Sequence, residues 1–249
     1  MTRQLRLFFT ALCFFTRIPC ARWAGHDETD LNHATRYFPL VGMLIGLAAA
    51  LVYLACSKVL PQELAVIASM VASLLLTGAF HEDGLADTVD GLGGGWNKEQ
   101  ALAIMKDSRI GSYGAIALVM ALLTKFEVLL HLAPEMLPFV LVAGHALSRL
   151  AALLVICTQD YVRETGKSKP LATRLNASEL VLASVFGLVP MLLLRPGLWW
   201  ALVPVAFMWL WFSYKLHQRL GGYTGDGLGA MQQLCEIAFY LGVLVWSST

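Results

Sequence analysis

FPLVGMLIGLAAALVYLACSKVL, at residues 38–60, is apolar throughout except for Ser57 and Lys58. A segment of about 20 apolar residues crosses a bilayer as a helix, because backbone groups in hydrocarbon must be paired within the segment. Six further segments of this kind follow along the chain, at residues 64–80, 114–132, 137–158, 180–194, 198–214 and 231–246. The sequence therefore predicts an all-α, polytopic transmembrane bundle of about seven spans.

The composition agrees with a membrane protein. Of the 249 residues, 57% are hydrophobic and 14% are charged, and the mean hydropathy is +0.64. An average soluble domain carries roughly 25% charged residues. The composition therefore excludes a disordered chain, a coiled coil and a nucleic-acid binder with a basic surface. We expect one integral-membrane domain over residues 1–249, with the helical bundle at 38–246.

The first 36 residues are predicted to lie at the membrane surface. The apolar run 5–18 is flanked by arginines and is too short to span a bilayer, which is typical of an interfacial amphipathic helix. The five cysteines have no paired spacing, so we expect single thiols with no disulfide and no zinc site. They are Cys13, Cys20, Cys56, Cys157 and Cys235.

The basic residues are distributed unevenly across the predicted membrane. Seven spans place residues 1–36, 81–110, 159–178 and 215–229 on one face, and these segments hold fourteen of the 18 Lys and Arg residues. Basic residues concentrate on the cytoplasmic side of membrane proteins. The near-neutral net charge of +1 thus conceals a face that we predict to be cytoplasmic.

An acidic cluster follows the second predicted span on this face. Asp83, Asp87 and Asp90 stand at i, i+4 and i+7, so a helix that continues from the span places the three carboxylates on one face. Like charges in this arrangement repel one another unless a cation lies among them. Oxygen ligands suit Mg²⁺ or Mn²⁺. The alternative is a solvated acidic helix end.

A second acidic element lies far along the chain on the same predicted face. The tetrapeptide DGLG at 90–93 recurs at 226–229, and DGLA at 83–86 nearly repeats it. Glycines beside an aspartate, such as Gly225 beside Asp226, allow the backbone to approach a phosphate closely. Coincidence is the alternative for so short a repeat, but the shared face favours a single site that contains both elements.

Four basic residues are candidate ligands for an anionic substrate. Lys106 and Arg109 lie between the two acidic elements, and ordinary charge at the cytoplasmic flank of a span is the alternative for both. Lys125 and Arg149 lie inside predicted spans, where a charge is costly and usually functional. These two either position the substrate or pair with Glu127 or Glu236 as structural contacts. For Glu127, His145 and Glu236 we favour a structural role.

Several of these motifs together resemble the cobalamin synthase family, also called adenosylcobinamide-GDP ribazoletransferases. The similarity runs from about residue 7 to 245 and departs from the pattern at Glu82, to which we give no essential role. It is carried by GAFHEDGLADTVDG at 78–91, DSRIG at 107–111, TGDGLGA at 224–230 and FPLVG at 38–42.

The resemblance implies a reaction and a place for it. The family joins adenosylcobinamide-GDP to α-ribazole or its 5′-phosphate, releases GMP, needs a divalent metal that is normally Mg²⁺, and works at the bacterial inner membrane. We expect Asp83, Asp87 and Asp90 to hold Mg²⁺, with Mn²⁺ as the alternative ion. Asp226 is expected to be a further ligand or the base. The active site is expected to face the cytoplasm, with membrane lipid as a partner, no nucleic acid, and a homo-oligomer left open.

Two other function classes share part of the pattern. The Asp-x-x-Asp-Gly element at 87–91 is similar to one in CDP-alcohol phosphotransferases, but their later pair of aspartates four residues apart is missing here. A secondary transporter also carries charges inside a helical bundle, with sites near the midplane and often inverted repeats. Here the acidic clusters lie at the ends of spans and no inverted repeat is visible.

Overall fold

The computed structural model describes residues 2–25, 27–163 and 175–247, and these residues form eleven α-helices joined by turns and 3₁₀ segments. They contain no β-strand, and one isolated bridge pairs Tyr161 with Tyr223. The predicted all-α class is confirmed. In chain order the helices are α1 Arg3–Phe15, α2 Glu28–Ala34, α3 Phe38–Cys56, α4 Gln62–Thr77, α5 Phe80–Gly94, α6 Lys98–Ile104, α7 Ser112–Leu130, α8 Leu137–Thr158, α9 Ala177–Leu188, α10 Leu202–Leu220 and α11 Gly225–Ser247.

Five helical stretches of the described chain are long and apolar enough to cross a membrane by themselves, and α4 with α5 passes the same test only as a bent pair. The five stretches are Thr29–Cys56, Ser112–Leu130, Leu137–Thr158, Pro196–Leu220 and Gly225–Ser247. Their outer surfaces expose large apolar side chains such as Leu51, Met120 and Phe207, as contact with lipid tails requires. The chain is a polytopic helical membrane protein. Lys167, Lys169 and Arg174, which we counted on the basic face, lie outside the described residues.

The predicted count of seven spans needs correction. The segments 64–80 and 180–194 correspond to α4 and α9, which have only 16 and 12 residues. Helix α4 ends at Gly78, whose φ of +67° belongs to the left-handed region that favours glycine. The chain then turns by 85° into α5. The three aspartates therefore lie on a separate helix and not on a continuation of the second span.

The centre of the bundle is built around α8 and α11, which are buried along most of their length. Helix α3 packs closely against α8 at Gly42 and Gly46, because a Cβ at either glycine would collide with the backbone of α8. Small residues of this kind allow membrane helices to approach each other. Helix α11 contacts α5, α8 and α10. It therefore connects the acidic helix α5 to the core.

The N-terminal helix is amphipathic, as predicted. Helix α1 has 13 residues and buries Leu7, Ala11 and Phe15 on one face, while its exposed residues are those of the first turn, Arg3–Arg6. The expectation of five single thiols is wrong, since Cys13 and Cys20 form a disulfide. Beyond α1 the chain folds back on the helix, so the Cα atoms of these two cysteines lie 6.1 Å apart. Spacing along the sequence does not reveal this reversal.

Candidate active site

Helix α5 carries the three predicted aspartates on one face, and their exposure falls along the helix. Asp83 is exposed, Asp87 is half-buried, and Asp90 is only 7% exposed. Because the chain bends by 85° between α4 and α5, these carboxylates do not lie on a continuation of the apolar helix α4. The predicted sharing of one helix face is confirmed, although the helix is not the predicted one.

The Asp90 carboxylate anchors the start of α7. One oxygen accepts a hydrogen bond from the Gly111 N–H at 2.7 Å, and the other accepts one from the Gly114 N–H at 2.8 Å. These are donors of the first turn of a helix, which otherwise lack partners. A Cβ at either glycine would collide with the carboxylate. Asp90 thus fixes α5 against α7, and its role as a metal ligand stays a prediction.

The two acidic elements meet where α5 crosses α11. The crossing is formed by Gly84 of α5 and Gly229 of α11. A Cβ on Gly84 would lie 2.9 Å from the carbonyl oxygen of Asp226, and a Cβ on Gly229 would lie 3.2 Å from the carbonyl oxygen of His81. The close approach needs both glycines. The predicted meeting of the two DGL motifs is therefore found in the fold.

Asp226 stands in the first turn of α11, whose start is capped by the Thr224 hydroxyl. This hydroxyl accepts a hydrogen bond from the Gly227 N–H at 3.0 Å. The Asp226 carboxylate pairs with Arg163, since Oδ2 lies 2.7 Å from Nη2 of the guanidinium. Arg163 lies in a loop without a local motif, so no pattern in the sequence indicates it. Only the fold brings it to Asp226.

The carboxylates of the two elements act on one another electrostatically. Burial and the nearby charges of Asp83 and Asp226 raise the pKa of Asp87 to about 6, while the Arg163 guanidinium opposes this shift. The raised pKa records the cost of holding several negative charges together. A cation at this position would relieve that cost.

The donor set fits Mg²⁺, although the protein by itself does not form a cage for the ion. Among the described residues, no group of three or more His, Cys, Asp or Glu side chains converges closely enough to hold a metal. Mg²⁺, however, usually binds one or two carboxylates together with water and substrate phosphates. Asp83 and Asp87, one helical turn apart, supply such a pair. Mg²⁺ binding stays a prediction.

Lys106 and Arg109 lie in the connection between α6 and α7, and both are exposed. The Arg109 side chain is 87% exposed and pairs with Asp107 at 2.6 Å. The hydrogen bonds from Arg109 lower the pKa of Asp107 to about 2. Neither basic side chain contacts the acidic cluster in the described part of the chain. Their predicted contact with substrate therefore requires the substrate to extend over this loop.

The Glu236 carboxylate is the centre of a buried polar network inside the bundle. It lies 2.9 Å from the Lys125 ammonium and 3.3 Å from the imidazole of His145. It also accepts hydrogen bonds from Gln232 at 2.6 Å and from Tyr240 at 3.2 Å. This arrangement favours the structural alternative for Lys125. The amide and the phenol were missed, because uncharged side chains in an apolar segment do not stand out in a sequence.

Arg149 is 2% exposed and lies next to this network. Its Nη1 donates a hydrogen bond to the carbonyl oxygen of His145 at 2.9 Å, while its Nε has no hydrogen-bond partner. The side chain lines a narrow cavity of about 20 Å³, room for about one water molecule, together with His81 and Gly225. The apolar wall of the cavity includes four phenylalanines, Phe14, Phe15, Phe38 and Phe80. The predicted substrate residues Arg149 and Gly225 thus share one cavity behind Asp226.

Comparison with known proteins agrees with the motifs. A family model described as cobalamin-5-phosphate synthase matches residues 7–244. Similar proteins named adenosylcobinamide-GDP ribazoletransferase occur in Shewanella woodyi, with 48% identity over 99% of this chain and 98% of the relative, and in Ralstonia pickettii, with 48% identity over 97% and 96%. No solved structure matches the chain. The family model and the relatives cover nearly the whole sequence, so the chain belongs to the cobalamin-5-phosphate synthase family.

Proposed function

We propose that this protein is an adenosylcobinamide-GDP ribazoletransferase. The relatives at 48% identity carry this name, and the match covers nearly all of both chains. A hydroxyl oxygen of α-ribazole, or of its 5′-phosphate, attacks the phosphorus nearer the corrinoid. The new P–O bond replaces the bond to the guanosine-bearing phosphate, GMP leaves, and the hydroxyl proton passes to a base. The products are GMP and adenosylcobalamin or its 5′-phosphate.

The observation that carries the proposal is the meeting of α5 with α11. The close approach of Gly84 and Gly229 brings the Asp83 and Asp87 face towards Asp226 at one end of the bundle. When a hydroxyl group displaces GMP from the diphosphate, the negative charge on the diphosphate and on the leaving GMP must be neutralised. Carboxylates gathered in this way supply the oxygen ligands for a divalent cation.

The residues have distinct proposed tasks. Asp83 and Asp87 hold Mg²⁺, or Mn²⁺ in its place, together with the substrate diphosphate. When bound, the ion neutralises charge on the diphosphate and on the departing GMP. Asp226 accepts the ribazole hydroxyl proton or adds a ligand, and Asp90 holds α5 against α7. Lys106, Arg109 and Arg149 remain candidates for contact with the substrate.

We further propose that the enzyme lies in the bacterial inner membrane, with this site open to the cytoplasm. Basic residues gather at the end of the bundle where α5 meets α11: Arg163 pairs with Asp226, Arg219 donates a hydrogen bond to the Gly95 carbonyl oxygen, and Lys98 lies near Gly221. The enrichment of basic residues on the cytoplasmic side supports this orientation. Membrane lipid surrounds the exposed apolar helices, and the number of copies in the assembly is left open.

An assay of GMP release tests the proposed function. Purified enzyme in detergent is incubated with adenosylcobinamide-GDP and Mg²⁺, with and without α-ribazole, and GMP is measured by chromatography. We expect GMP to be released only when both substrates are present, and the release to stop when EDTA removes the metal. Turnover of CDP-diacylglycerol in place of the cobinamide nucleotide would instead favour a phospholipid enzyme.

A further inference from the structure

Arg163 occupies a position among the carboxylates that the proposed tasks do not yet explain. It follows α8 in the chain, and its guanidinium pairs with Asp226. Its charge also acts on Asp87, where it opposes the upward shift of the pKa. The side chain is 12% exposed, so the cation is largely removed from bulk water. An arginine held in this way is available to a ligand that approaches the acidic site.

The backbone around Arg163 is tied to the loop that starts α11. The Val162 N–H donates a hydrogen bond to the Tyr223 carbonyl oxygen at 3.0 Å, and the Tyr223 N–H donates one to the Asp160 carbonyl oxygen at 3.0 Å. The rings of Tyr161 and Tyr223 also pack edge to face, with centroids 5.5 Å apart. These contacts place Arg163 beside the first turn of α11.

The guanidinium retains hydrogen-bonding capacity. Its Nε and Nη2 atoms are shielded from solvent and have no hydrogen-bond partner in the described structure. The contact with Asp226 is an ion pair at 2.7 Å, and it leaves donor capacity on the guanidinium for a further acceptor. Buried N–H donors of a charged group are costly to leave unpaired. A ligand with several acceptor oxygens would remove this cost.

We propose that Arg163 binds the diphosphate of the nucleotide substrate, and that its pair with Asp226 is the resting arrangement that the substrate replaces. This inference rests on the proposed function. A guanidinium matches phosphate oxygens through two parallel hydrogen bonds, and it balances the carboxylates that would otherwise repel the substrate. The N-terminal end of α11 beside it also favours negative charge. When the Arg163 guanidinium pairs with the diphosphate instead, the Asp226 carboxylate is free to accept the ribazole hydroxyl proton or to bind the metal.

Steady-state kinetics of three variants test this assignment. Arg163→Gln removes the charge, Arg163→Lys keeps the charge without the planar fork, and Arg22→Gln is the control, since Arg22 is exposed in the N-terminal segment. We expect Arg163→Gln to raise the KM for adenosylcobinamide-GDP by at least about 10-fold and to leave the KM for α-ribazole within about 2-fold. Arg163→Lys should lie between Arg163→Gln and wild type, and Arg22→Gln should match wild type.

Ligand-induced thermal shifts separate failure of this inference from failure of the proposed function. Adenosylcobinamide-GDP with Mg²⁺ should raise the melting temperature of wild-type enzyme more than that of Arg163→Gln, whether or not turnover occurs. Equal shifts, or a lower kcat in Arg163→Gln with an unchanged KM for adenosylcobinamide-GDP, would overturn the assignment of Arg163. Wild-type enzyme that binds the nucleotide but releases no GMP would overturn the transferase instead.

Discussion

At the scale of single residues, the three aspartates of α5 meet three different environments. Asp83 faces solvent, Asp87 is half-buried beside other carboxylates, and Asp90 gives both oxygens to the start of α7. The raised pKa of Asp87 means that the folded protein disfavours its ionised form. At neutral pH the ionised carboxylate therefore costs stability, as expected of a group kept for binding a cation.

The substitution Asp87→Asn should separate activity from stability. We expect GMP release to fall about 100-fold or more, since a metal ligand contributes several kcal/mol to the transition state. The melting temperature should stay the same or rise, because the amide removes the repulsion by Asp83 and Asp226. Asp27→Asn, at an exposed position, is the control. Near-normal turnover of Asp87→Asn at ordinary Mg²⁺ concentrations would exclude Asp87 as a metal ligand.

We predict that Lys125 has a structural role, because its ammonium group pairs with the buried carboxylate of Glu236. Lys125→Met leaves the Glu236 carboxylate without its ammonium partner, and we expect a loss of about 3–5 kcal/mol in stability. The double variant Lys125→Met/Glu236→Gln should recover part of the melting temperature, because it leaves no unpaired charge at this pair. The KM values of the folded protein should change little. A raised KM for adenosylcobinamide-GDP in the double variant would show instead that Lys125 contacts the substrate.

The sequence identified most of the candidate site residues, but it did not determine which residues contact them in the fold. Spacing along a helix predicted that Asp83 and Asp87 share a face, since that depends on local geometry alone. The pairing of Lys125 with Glu236 was one of two alternatives, because it depends on how α7 and α11 are brought together. The contact of Arg163 with Asp226 joins the loop after α8 to the first turn of α11, which are distant in the sequence, and no local pattern indicates it.

At the scale of helices, the crossing of α5 and α11 should control activity. Gly84→Ala would place a Cβ 2.9 Å from the carbonyl oxygen of Asp226, so the two helices must separate by several tenths of an ångström. Overpacking of this kind costs roughly 1–3 kcal/mol. We expect the kcat to fall more than 10-fold in the fraction that remains folded, because positioning errors of this size are costly in catalysis.

Gly197→Ala is the matched control, since a Cβ at Gly197 meets nothing within 4 Å. Its melting temperature and turnover should equal those of wild type. If Gly84→Ala loses stability but keeps the wild-type kcat, the crossing serves folding alone, and the carboxylates do not need this spacing.

Helix boundaries were less predictable than helix positions. Hydropathy located the segment 64–80, but it does not distinguish a continuing helix from one that turns by 85° at Gly78. Because of this turn, the three aspartates lie on a separate short helix, α5, and this helix packs against α7 and α11. The shortness of α9 is a similar case, because its apolar segment continues as a 3₁₀ helix, Val189–Leu193.

At the scale of the whole molecule, composition and hydropathy were sufficient for the fold class. The requirement that backbone groups be paired in hydrocarbon leaves helices as the natural form of long apolar segments, and five of them pass this test here. How the helices pack was not accessible, since glycine contacts such as Gly42 against α8 depend on three-dimensional complementarity. The distribution of basic residues along the sequence predicts which end of the bundle faces the cytoplasm.

Accessibility of single cysteines would test that orientation. Lys58 and Lys98 are both exposed and flank α4 and α5, which together are long and apolar enough to cross the membrane. The proposed orientation therefore places these two lysines on opposite faces. In a background without the five native cysteines, Lys58→Cys should react with an impermeant maleimide added outside intact inner-membrane spheroplasts. Lys98→Cys, four residues beyond the end of α5, should react only in inverted vesicles. The reverse pattern would place the carboxylates outside the cytoplasm, and the proposed orientation would be wrong.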